Sequence, residues 1–120
     1  MAMPRYLTEV LGTALHAMTP ADAAAATRLG AALALDAGII TVFDYSNATR
    51  SPEHTDAVVE AFEAAGIRAV VGHGDPAATA DVRRLAARTG RVTGALSTPA
   101  PNTATGTRPS RSSRSAASSG

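Results

Sequence analysis

Two short stretches gather side chains able to act as acids, bases or ligands: Asp44-Tyr45-Ser46-Asn47 and Gly72-His73-Gly74-Asp75. Each follows an apolar run. Asp44 can accept a hydrogen bond from a ligand or orient a neighbouring group; its plainer role is an Asx turn capping its own loop. His73, set between two glycines, would overhang a pocket at the end of a strand; its plainer role is a half-exposed loop histidine. As a pair on adjacent strand ends, Asp44 and His73 have the makings of acid–base catalysis, but no nucleophile accompanies them, and acid–base help alone supplies about 10²–10⁴-fold.

The remaining chemistry is sparse. His54 falls in the first turn of a helix and His16 in a leading helix, both positions where histidine packs or sits at the surface. With His16, His54 and His73 so far apart, and no H-x-H, H-E-x-x-H or carboxylate cluster, local spacing assembles no metal site. Neither dinucleotide-binding nor P-loop glycine patterns occur, and there is no G-x-S-x-G elbow. Gly72-His73-Gly74-Asp75-Pro76 could offer a phosphate a helix N-terminus, but Asp75 places a negative charge there.

These residues need elements to position them. Thr19-Pro20-Ala21-Asp22 supplies an N-cap, a proline at the first helical position and an acid in the first turn. Ser51-Pro52-Glu53-His54 repeats the signal and Asp75-Pro76 gives it a third time. Gly38, Gly66 and Gly90 each end an alanine-rich stretch where a left-handed C-cap needs glycine. The helices between these marks have core faces predicted at Leu29 and Leu33, at Val58, Val59, Phe62 and Ala65, and at Val82, Leu85 and Ala86. A further helix is predicted over Tyr6 to Met18.

After each glycine comes an apolar run: Ile39–Phe43, Ile67–Val71 and the weaker Arg91–Leu96. The first is continuous and largely β-branched, the pattern of a strand covered on both faces. Alternating helices and strands predict an α/β fold with parallel strands. The carboxyl ends of those strands are where chemistry collects in such folds. Asp44, Ser46 and His73 are therefore the predicted pocket rim.

The chain has 120 residues, a net charge of +1, no cysteine and a 45% apolar fraction. One domain at most fits the length. The absence of cysteine excludes a disulfide framework and Cys-based metal sites. The balanced charge argues against nucleic-acid binding, no apolar run reaches the roughly 18 residues of a membrane span, and with no signal pattern the expected location is cytoplasmic. Residues 97–120 hold only Ser, Thr, Ala, Pro, Arg, Gly and Asn. They are predicted to be a disordered Ser/Thr/Pro/Arg-rich tail, leaving 1–96 as the folding unit.

Three segments, Ala37–Ser46, Ser51–Ala57 and Ala65–Gly74, together resemble the metal-dependent amidohydrolase superfamily, in its cytosine/guanine deaminase and triazine-hydrolase branch. Ile40 stands where that branch usually has threonine, and Asn47 where one version has histidine. The resemblance implies a partial TIM-like (β/α) barrel, two to three βα units of eight, lying after the first barrel strand and before the fourth. Full-length relatives hydrolyse C–N bonds of small cyclic or amide substrates with water activated by Zn or Fe. Their metal site takes an H-x-H after the first strand, two later histidines and an aspartate on the last strand, none of which this chain matches. The expectation is a chain that holds no metal and is inactive alone, with no nucleic-acid or membrane partner and with association through uncovered sheet edges. The alternative is a small α/β binding or interaction module with a disordered tail.

Overall fold

The computed structural model describes residues 2–97. It is a mixed α/β structure with four helical segments and a three-stranded parallel sheet. The leading segment, α1, covers residues 3–17, with π-type geometry over Leu7–Ala14. Next come α2 (Pro20–Asp36), β1 (Thr41–Ser46), α3 (Pro52–Ala65), β2 (Arg68–His73), α4 (Thr79–Ala86) and β3 (Val92–Leu96). No helix among the described residues is long and apolar enough to cross a membrane.

The helix boundaries follow local chemistry. Thr19 Oγ1 accepts the Asp22 amide and the Asp22 carboxylate accepts the Thr19 amide, a reciprocal capping box that opens α2. Ser51 Oγ accepts the His54 amide and opens α3. Gly66 closes α3 at φ 77°, a left-handed conformation that a Cβ would disfavour. The third start signal behaves differently. Asp75 Oδ1 accepts the Ala77 amide at 2.9 Å, so Asp75-Pro76 forms a side-chain-closed turn, and α4 starts only at Thr79.

The strands lie in the order β1-β2-β3, with Val42 opposite Ala69, Asp44 opposite Val71 and Ser46 opposite His73. Val71 in turn faces Gly94, and His73 faces Leu96. Helices α3 and α4 pack on the face that carries Ala69, Val71 and Val92, forming a core with Val58, Val59, Phe62, Ile67 and Leu85. Gly94 lies hard against α4: a Cβ there would come within 2.3 Å of Leu85 Cγ and 2.4 Å of its carbonyl oxygen. Only a residue without a side chain allows this spacing.

Two sequence expectations are corrected. Leu29 and Leu33 are each 62% exposed. Helix α2 instead buries Ala23 and Ala31 and packs on α3. Ala31 lies two residues from Leu29 and from Leu33, about 200° around the helix, so the leucines point away. Small side chains permit a closer approach than leucine would, and apolar size alone does not reveal that choice. The run Ile39–Phe43 is not covered on both faces either. β1 starts at Thr41, and Ile40 and Phe43 are 72% and 59% exposed. Among the described residues the helices cover the sheet on one side.

Candidate functional site

His73, the last residue of β2, is wholly buried with its ring on the helix-covered face. Its Nδ1 lies 3.1 Å from the Asp75 amide, which can only donate. Nδ1 is therefore the acceptor, and the ring proton sits on Nε2, which donates to Asp81 Oδ2 at 2.9 Å. Asp81, on α4, also accepts from Thr55 Oγ1 at 2.6 Å and from Arg84 through Nε at 3.0 Å and Nη2 at 2.6 Å. Arg84 reaches on to Asp56 and to the Pro52 carbonyl.

Burial pushes the Asp81 carboxyl up, but the hydrogen bonds from Thr55, Arg84 and His73 outweigh it and hold the group below the usual carboxylate range. Hydrogen bonds to Asp56 first and then to Asp81 raise Arg84. Both nitrogens of His73 and both oxygens of Asp81 are thus engaged. The cluster clamps α4 and α3 to the end of β2. It leaves no ring atom of His73 free to exchange a proton with a ligand, and the partners of His73 are Asp81 and Asp75 rather than Asp44. Thr55, Asp81 and Arg84 were not singled out from sequence. The i,i+3 spacing of Asp81 and Arg84 was the one available signal.

His54 is also fully engaged. Its Nε2 is 2.7 Å from the Met18 carbonyl, an acceptor only, so the ring proton is on Nε2 and Nδ1 accepts the Ser51 hydroxyl at 2.7 Å. With Arg50 Nη1 donating to the Leu15 carbonyl at 2.9 Å, His54 ties the end of α1 to the start of α3.

Asp44 and Ser46 lie elsewhere, in a groove of about 390 Å³ between α2 and β1. Ala26, Thr27, Gly30 and Ala31 line it from α2, Val42, Phe43, Asp44 and Tyr45 from β1, and Phe62 from α3. Ser46 is buried. Asp44 is half-buried; loss of solvent raises its carboxyl above the ordinary range, and a hydrogen bond with Ser46 offsets part of that rise. Among the described residues Asp44 has no ion-pair partner. His73 instead borders a separate hollow of about 420 Å³, with Thr49, Arg50, Ser51, Ala78 and Asp81. The three predicted rim residues are therefore divided between two cavities.

No group of three or more His, Cys, Asp or Glu side chains among the described residues could hold a metal ion. The ring nitrogens of His73 and His54 are already engaged in hydrogen bonds within the fold. The predicted tail from residue 98 onward lies outside the described residues; Ser97, the last of them, is buried and donates its amide to the His73 carbonyl at 2.9 Å. In comparisons with known proteins, no family model, curated protein or solved structure matches this chain.

Proposed function

We propose that the chain is a βα wall unit of the amidohydrolase type, which works as part of a larger α/β assembly and does not hydrolyse C–N bonds alone. The observation that carries this reading is the one-sided sheet. Three consecutive parallel strands share helices on one face, while the other presents Phe43, Tyr45 and the preceding Ile40 to solvent. A closed barrel would turn such a face inward, where branched and aromatic side chains fill the interior. Parallel sheets are normally covered on both faces. The occupant this implies is another βα unit, extending the sheet beyond β1 or β3 and bringing its own inner face against Phe43.

Sedimentation velocity on the full chain tests the assembly. The parent chain is expected to self-associate with rising concentration, and the double variant Ile40→Ser/Phe43→Ser to stay monomeric. A parent chain that remains a monomer and binds no apolar dye would remove the reading. For the chemistry, cytosine, guanine and an amino-triazine incubated with the chain and added Zn²⁺ or Fe²⁺ are expected to release no ammonia. Stoichiometric metal together with turnover would overturn it. A second reading, a small α/β binding module, is favoured by one specific observation, the groove beside Asp44.

A further inference from the structure

We propose that the groove between α2 and β1 binds a small organic cation with an apolar body, an arylalkyl amine, whose ammonium pairs with Asp44. Its volume of about 390 Å³ lies in the range of small-molecule sites, roughly 300–1,000 Å³. The helix wall is built of alanines, Gly30 and Thr27, so a flat ring can lie close to the backbone at Gly30 without displacing a bulky side chain. Val42 and Phe62 supply apolar surface, and no cationic side chain among the described residues lines the groove.

Charge then selects the ligand class. A neutral apolar guest would further desolvate the Asp44 carboxylate and give it nothing in return. An anion would be repelled. A bare metal ion would find one carboxylate where calcium takes six to eight oxygens. An ammonium supplies the missing countercharge and a charge-assisted hydrogen bond, while its hydrocarbon body displaces water from the apolar walls. Phe43 and Tyr45, which carry the barrel-wall reading, also border the groove, but the inference turns on Asp44, which alternates with them along β1, and Asp44→Asn leaves both aromatic side chains in place.

The test is an amide-resolved NMR titration of the full chain with 2-phenylethylamine, and with 2-phenylethanol as its uncharged counterpart. The amine is expected to give saturable shifts confined to α2 and β1 and to bind about tenfold or more tightly than the alcohol. Asp44→Asn should lose that advantage. Gly30→Leu keeps the carboxylate but fills the groove, since a Cβ at Gly30 meets no atom within 4 Å, and it should weaken amine and alcohol together. The proposal is overturned if amine and alcohol bind alike, if the shifts scatter over other elements, or if no saturable shift appears at millimolar amine. It is equally overturned if Asp44→Asn keeps the parent affinity. Should Asp44→Asn fail to fold, unchanged amine binding by Gly30→Leu overturns it and weakened binding supports it.

Discussion

Asp44 and Asp81 are two carboxylates in one small domain whose environments act in opposite directions. Asp81, buried but richly hydrogen-bonded, is held below its usual range. Its contribution to stability is therefore fully present above the unfolded value, about pH 3.9, and is lost as pH falls through the lower folded value. Asp44, desolvated and offset in part by a hydrogen bond with Ser46, is raised. Its ionised form costs stability at neutral pH, and that cost disappears as pH drops toward about 4. Asp44→Asn should thus melt above the parent at pH 7, with the gap closing on acidification. His73→Ala, which leaves a cavity and strips Asp81 of one donor, should destabilise by about 2–4 kcal/mol in urea unfolding at pH 7. A loss under about 0.5 kcal/mol, the size of an ordinary surface substitution, would mean that the buried cluster does not hold α4 in place.

Among the elements, the glycines separate two effects. Gly30 sits inside α2 and is exposed, with nothing within 4 Å of an added Cβ. Gly30→Ala should stabilise by up to about 1 kcal/mol through helix propensity. Gly66, at φ 77°, should respond in the opposite sense, losing about 1 kcal/mol as alanine. Paired thermal melts check both signs. The caps at Thr19 and Ser51 and the glycine stops were legible in sequence because each is a local bargain between one side chain and nearby amides. The start of α4 was less so: Asp75 has two local uses for its carboxylate, and the Ala77 amide took it. The buried face of α2 was illegible for a different reason. Helix contacts set by alanine depend on which neighbour comes close, whereas residue size points to Leu29 and Leu33. The site followed the same divide. That Asp44, Ser46 and His73 gather near strand ends could be read from the pattern of runs and stops. That His73 turns to Asp81 on a helix six residues further on could not.

For the molecule as a whole, the decisive asymmetry among the described residues is a sheet with one helix-covered face and one that exposes Phe43 and Tyr45. The continuous apolar run before Asp44 suits two-sided cover, and the structure provides it on one side. The open side of β1 and the outer row of α2, with Leu29 and Leu33, are separate apolar surfaces. Serine at Ile40 and Phe43 should therefore suppress self-association, while serine at Leu29 and Leu33 should leave it unchanged if the sheet face is the adhesive one. Sedimentation of the two double variants side by side distinguishes them.

The contact at Gly94 reaches further than its own strand. Helix α4 rests on β3 at a height fixed by a missing methyl group, and the same helix carries Asp81, itself held by Arg84, to the ring of His73. A single added carbon at position 94 would act as a shim beneath α4, prying the clasp from the far side and announcing itself in the imidazole resonances of a residue on another strand.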